Sequence, residues 1–97
     1  MALLLPGLRG MAQNEVLFEK ATAAYNAGDY EESVSIYTQI LESGEHSAAL
    51  YFNMGNAYYK QNEISPSIYY YEKALLLEPG DPEILNNLAF ARNMTLD

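Results

Sequence analysis

The sequence predicts an all-α fold, an α-solenoid in which antiparallel helix pairs stack side by side. Three observations predict it. A shift of 34 residues superimposes eight pairs of identical residues without a gap, which is typical of a repeated helix pair. Apolar residues recur every three to four positions, as they do on one face of a helix. No segment alternates polar and apolar residues as a half-buried strand would.

The 34-residue shift also predicts the domain boundaries. We expect a repeat domain over 13–97, with one repeat at 14–47, a second at 48–81 and a partial third at 82–97. The identical pairs are Phe18 with Phe52, Ala23 with Ala57, Tyr25 with Tyr59, Ser33 with Ser67, Tyr37 with Tyr71, Leu41 with Leu75, Asn53 with Asn87 and Ala57 with Ala91.

Each helix of the first repeat is predicted from its apolar stripe and its ends. The first stripe runs through Val16, Leu17, Lys20, Ala21 and Ala24, and the second through Tyr30, Val34, Tyr37, Ile40 and Leu41. Gly28 and Asp29 separate the two. Asp29 and Glu32 have the spacing of a capping box, so we expect the second helix to be capped by the Asp29 side chain.

The second repeat follows the same plan and leads into a fifth helix. Its stripes are Leu50, Tyr51, Met54, Ala57 and Tyr58, then Ile64, Ile68, Tyr71, Ala74 and Leu75. Ser65-Pro66 predicts a helix start, because proline has no amide proton to leave unpaired there. Asp81-Pro82 predicts another start, for a helix carrying Ile84, Leu85, Leu88 and Ala89. Connections of two to four residues make neighbouring helices antiparallel.

The second repeat resembles the tetratricopeptide repeat. Its Tyr51, Met54-Gly55, Tyr58, Ser67, Tyr71, Ala74 and Pro79 stand at that family's aromatic, Leu-Gly, tyrosine, small, aromatic, alanine and proline positions. The first repeat departs more, with Leu17, Lys20, Ala24 and Ile40 at four of them. The resemblance implies that Gly55 lies where two helices of one repeat cross, with Ala21 and Ala89 as its equivalents. A mid-helix glycine costs about 1 kcal/mol relative to alanine, so close packing is the expected reason for it.

The N-terminal residues 1–12 predict either the remnant of a secretory signal or a disordered apolar tail. Gly10 and Ala12 are small residues two apart, as before a signal-peptidase cut at Gln13. Segments 12–18 and 85–92 are similar to the N-terminal repeat region of exported Bat-type (aerotolerance) bacterial proteins. That resemblance implies a periplasmic location and a larger membrane-associated protein. A cytoplasmic location is the alternative.

Composition excludes several function classes. The net charge of −8 argues against nucleic acid and anionic membranes as partners. The absence of cysteine excludes thiolate metal sites. His46 is the only histidine and stands in a predicted turn, where no nucleophile is paired with it. We therefore predict no catalytic residues, no metal and no cofactor.

The remaining candidate is a concave surface lined by the first helix of each repeat. Aromatic rings there alternate with amides that can hydrogen-bond an extended peptide backbone. The candidate binding residues are Phe18, Thr22, Tyr25, Phe52, Asn53, Asn56, Tyr59, Asn87 and Phe90.

The resemblance and the charge together predict the partner. Family members that grip a C-terminal carboxylate use lysine, asparagine and arginine along this groove, and here only Asn53 matches. With Glu15, Glu19 and Glu83 beside it, the groove should prefer a neutral or basic peptide or protein segment. Two alternatives stay open. One is a self-associating scaffold that pairs through an apolar end formed by Leu85, Leu88 and Leu96. The other is an accessory domain of a larger protein.

Overall fold

Five helices form the described part of the chain, and they confirm the all-α prediction. The computed structural model describes residues 6–96, except the side chains of 6–9 and 11. The helices are α1 (Pro6–Asn26), α2 (Tyr30–Glu42), α3 (Ala48–Lys60), α4 (Ile64–Leu77) and α5 (Pro82–Asn93). Each helix packs mainly on its neighbours in the chain, and α1–α3 and α3–α5 also touch. The helices α1, α3 and α5 therefore lie side by side on one face, with α2 and α4 behind them. None of the described helices is both long and apolar enough to cross a bilayer.

The helix α1 begins at Pro6, well before the predicted repeat boundary at residue 14. Residues 6–12 are thus helical rather than irregular, while 1–5 lie outside the described residues. The interpretation of this segment as a signal remnant stays a prediction.

Caps and turns account for the other helix ends. The Asp81 side chain accepts hydrogen bonds from the amides of Glu83 and Ile84, as predicted for the start of α5. Gly28 and Asn62, which are 34 residues apart, both have a left-handed backbone at the turn inside their repeats.

Three local predictions are wrong. Asp29 precedes α2, but its side chain makes no capping hydrogen bond. Since α4 already begins at Ile64, Pro66 occupies its third position, where the amide still lacks an intrahelical partner. The connection between α2 and α3 spans the five residues 43–47 rather than two to four.

The core has two clusters, and each joins one repeat to the first helix of the next. The first gathers Ala21, Ile36, Tyr37, Ile40, Leu50 and Met54. The second gathers Tyr51, Tyr71, Ala74, Ile84, Leu88 and Ala91. The stripes predicted for α2, α3 and α4 contribute as expected, whereas Val16, Lys20, Leu85 and Ala89 are exposed. Leu88 is buried against α4, so it is not part of an open apolar end as predicted.

The packing around Gly55 explains the mid-helix glycine. A Cβ atom at Gly55 would lie 2.5 Å and 2.6 Å from ring carbons of Tyr71. In addition, the Ser67 hydroxyl donates to the Gly55 carbonyl at 2.8 Å, and the Ser33 hydroxyl donates to the Ala21 carbonyl at the same distance. The Tyr71 ring and the Ser67 hydroxyl of α4 therefore both contact α3 at Gly55, where the two helices cross.

Candidate functional site

Five of the nine predicted binding residues meet in one cavity on the face formed by α1, α3 and α5. They are Tyr25, Asn56, Tyr59, Asn87 and Phe90. Lys60 and Tyr71 complete the lining of this cavity, which has a volume of about 290 Å³. We call it the ring pocket. Three rings from three different helices converge there, and Phe90 is the most exposed of them, at 57%.

The other four predicted residues lie beside the ring pocket or beneath the groove. Phe18 packs edge-to-face on Tyr37, with ring centroids 5.3 Å apart. Phe52 contacts Tyr71 in the equivalent place, at 5.9 Å. Both phenylalanines are partly buried, so they form the floor of the groove. Thr22 and Asn53 are also half-buried.

A polar cluster at the base of the ring pocket joins α3, α4 and α5. The Tyr71 hydroxyl donates to Asn56 Oδ1, and Asn87 Nδ2 donates to the same oxygen at 3.0 Å. The first repeat has an equivalent contact, in which the hydroxyls of Thr22 and Tyr37 lie 2.9 Å apart. The side-chain oxygen of Asn56 therefore already accepts two hydrogen bonds within the protein. Among the described residues, the side-chain N–H groups of Asn56 and the side-chain oxygen of Asn87 have no hydrogen-bond partner.

Burial perturbs the tyrosines of this cluster. Removal from water raises the pKa of Tyr71 from 10.0 to about 12, although the nearby polar side chains of Ser67 and Asn87 oppose the shift. Burial also raises the pKa of Tyr37, against its hydrogen bond with Thr22 and the nearby polar side chains of Ser33 and Asn53. Both hydroxyls thus stay protonated at neutral pH and can act as donors.

The Tyr71 shift predicts how stability depends on pH. In the unfolded chain the group ionises near its usual pKa of 10.0, and in the folded protein near 12. Its contribution to stability is complete below pH 10 and is lost as the pH rises towards 12. The unfolding free energy from urea titrations at several alkaline pH values should therefore fall across this window. The slope should be smaller in Tyr71→Phe, and equal slopes would contradict the shift.

Acidic side chains gather at the other end of the groove, on the middle of α1, on the loops before α3 and α5, and on the first turn of α5. Glu15, Glu19 and Glu45 surround Phe18 in a cavity of about 330 Å³. Glu78, Asp81 and Glu83 surround Phe52 in one of about 360 Å³. We call these six residues the acidic edge. Lys60 lies at the opposite end, so the charge changes sign along the groove.

Sequence reasoning missed two parts of this site. Tyr71 was predicted as a core residue only, and its hydroxyl in fact reaches the groove. The cluster that holds it is also new, although the repeat contained its signal. Tyr37 and Tyr71 are 34 residues apart, and so are their partners Thr22 and Asn56.

Outside the groove, the described residues include the chain's only histidine and one larger depression. His46 is exposed, and its Nδ1 atom shares a hydrogen bond with the Tyr51 hydroxyl. No group of three or more His, Asp and Glu side chains within the described part of the chain could hold a metal ion. A larger, shallow depression of about 760 Å³ lies at the turn between α1 and α2, away from every predicted binding residue.

Comparison with known proteins follows the repeat boundaries. Residues 48–81 match a family model described as "Tetratricopeptide repeat", and residues 15–43 match a second model with the same description. The chain is also 33% identical to "Heat shock protein STI1" of Saccharomyces cerevisiae, over 74% of this chain and 13% of that protein. It therefore spans about an eighth of the length of that relative.

Proposed function

Because the chain belongs to the tetratricopeptide-repeat family, whose members are protein-interaction modules, we propose that its concave face binds an extended segment of another protein. The ring pocket is the observation that carries the proposal. It brings Tyr25, Tyr59 and Phe90 from three helices around one open cavity. Exposed aromatic groups next to amides are typical of recognition surfaces. The proposed role is non-enzymatic and needs no cofactor.

In the proposed binding mode, rings and amides contact different parts of the bound segment. Rings of the pocket pack on side chains of the bound segment. The Asn53 and Asn87 side chains, together with the side-chain N–H groups of Asn56, hydrogen-bond its backbone. The acidic edge favours a neutral or basic segment over an acidic one, because like charges in the groove would repel.

The double substitution Asn53→Ala/Asn87→Ala tests this mode. We expect it to weaken capture of peptides selected on the protein from a random display library by about tenfold, or about 1.4 kcal/mol. Of the two side chains, Asn87 contributes one neutral hydrogen bond, to Asn56, so the melting temperature should fall by only a few degrees. Peptide affinity by calorimetry and melting by circular dichroism are the two measurements.

Asn26→Ala/Asn93→Ala is the matched control, because both side chains are exposed and neither lines the ring pocket. It should leave peptide affinity unchanged. Unchanged affinity in Asn53→Ala/Asn87→Ala would contradict the proposed role of the amides, and so would a loss of binding that only follows a loss of folding.

A second candidate function is self-association through α5. One face of α5 corresponds, by the 34-residue shift, to the face of α3 that packs on α4. It carries Leu85, Ala89 and Arg92 at the positions of Tyr51, Gly55 and Tyr58. Leu85 is 46% exposed and Leu96 is 73% exposed. A second copy of the chain could cover this surface, much as α4 covers α3.

Leu85→Glu tests this second candidate. If the surface pairs two copies, the protein should sediment as a dimer at high concentration and the variant as a monomer, because a carboxylate would be buried in the interface. Leu76→Glu, at an 80% exposed position on α4, is the control and should remain dimeric. A wild-type protein that is monomeric at all concentrations in analytical ultracentrifugation would rule the candidate out.

A further inference from the structure

The groove has two chemically different ends. Glu19 precedes Tyr25 by six residues on α1, and Glu83 precedes Phe90 by seven on α5. At 1.5 Å per helical residue, the acidic edge and the ring pocket are separated by about 9–10.5 Å along the helix axes. A segment in the extended polyproline II conformation rises about 3.1 Å per residue with three residues per turn, so it covers that distance in about three residues with both side chains on one face.

The ring pocket fits an aromatic side chain rather than a basic one. Its walls are the rings of Tyr25, Tyr59 and Phe90, which can contact a guest ring edge-to-face or in offset stacks. Lys60 also lines the pocket, so a lysine or arginine of the partner would meet a like charge there. The same ammonium group would attract the face of a guest ring.

The acidic edge fits the basic side chain that the ring pocket excludes. Phe18 and Phe52 lie beneath its carboxylates. The methylene groups of a lysine or arginine can lie on such rings while the charged end reaches the carboxylates. Charge complementarity thus assigns opposite ends of the groove to two different side chains of the partner.

We propose that the preferred partner is an extended segment in which a basic residue and an aromatic residue stand three positions apart. The inference rests on the proposed function, since it specifies what the concave face selects. The aromatic residue occupies the ring pocket and the basic residue reaches the acidic edge. Either order along the partner chain satisfies the spacing.

Synthetic peptides test the spacing directly. The probes are acetylated and amidated GGKSSFGG and GGFSSKGG, which carry the proposed spacing. The controls are GGKFSSGG, with adjacent residues, GGKSSSGG, without a ring, and GGESSFGG, with the charge reversed. Binding is followed by amide chemical shifts of the ¹⁵N-labelled protein. At least one probe should bind about tenfold more tightly than every control, with the largest shifts in α1, α3 and α5.

Two variants test which end of the groove holds the aromatic residue and which holds the basic residue. Phe90→Ala should lower the affinity of the better probe about tenfold, and Glu19→Lys/Glu83→Lys should do the same. The matched controls are Leu76→Ala, at an exposed apolar position, and Glu42→Lys/Glu63→Lys, which makes the same change in net charge. Both controls should bind like the wild type. Melting curves of all four confirm folding before affinities are compared.

Each other outcome has a definite meaning. Equal affinity for GGKFSSGG and the two probes would overturn the spacing. So would failure of both probes while display-selected peptides still bind the concave face, a result that leaves the proposed function intact. If neither the probes nor any selected peptide shifts α1, α3 and α5, both the inference and the proposed function fail.

Discussion

Replacing Tyr71 with alanine should lower the free energy of unfolding by about 3–5 kcal/mol, as for other large aromatic side chains removed from a core. The Tyr71 ring is only 1% exposed, and it packs on Gly55 and Phe52. Its hydroxyl also holds the Asn56 amide. The substitution therefore opens a cavity between α3 and α4 and removes a hydrogen bond at the base of the ring pocket. Urea denaturation followed by circular dichroism gives the value.

Tyr71→Phe separates the two contributions, because it keeps the ring and removes only the hydroxyl. We expect this variant to lose about 1 kcal/mol. The difference between the two variants then measures the packing of the ring. A loss below about 1 kcal/mol in Tyr71→Ala would show that the ring does not fill the crossing as described.

Gly55→Ala should destabilise the protein, although alanine is the better helix former. The new Cβ atom would lie 2.5 Å from Tyr71, so a buried ring must move. Overpacking of this kind costs about 1–3 kcal/mol, whereas the gain in helix propensity is about 1 kcal/mol. The net loss should therefore be at most about 2 kcal/mol, measured by the same denaturation experiment.

Gly80→Ala is the matched control, because no atom lies within 4 Å of the position where its Cβ would be. It should leave the unfolding free energy nearly unchanged. In the first repeat Ala21 stands at the position equivalent to Gly55, which shows that small differences in helix spacing can accommodate one methyl group. A stabilised Gly55→Ala variant would mean that α3 and α4 adjust in the same way.

The repeat made most of the fold predictable. A single shift aligned the two helix pairs, and the resemblance to the tetratricopeptide repeat implied that Gly55 is a crossing point. The residues that signal a helix start predicted capping less reliably. Asp81 caps α5, but Asp29, with the same residue type and a Glu three positions later, does not cap α2. The backbone at the two positions differs, since Asp81 is extended with ψ 117° whereas Asp29 has ψ 67°, and the spacing of residues does not determine that angle.

The site was predictable to the extent that it follows helical periodicity. Tyr25, Asn56, Tyr59, Asn87 and Phe90 share one face of their helices, so the pattern brought them together. The contact between Asn56 and Asn87 could not be foreseen, because it depends on the distance between α3 and α5. Leu85 is exposed, as expected for the alternative with an open apolar end. Its helical face is apolar, but no second helix of the third repeat covers it within the described residues.

The most direct test of the account is to locate a bound peptide on the protein. The measurement is a titration of the ¹⁵N-labelled protein with a display-selected peptide, followed through its amide chemical shifts. We expect the largest changes at Tyr25, Asn56, Tyr59, Asn87 and Phe90, and small changes on the outer face of α2 and α4. Changes centred on Tyr69 and Leu76, or confined to the end of α5, would contradict binding in the concave groove.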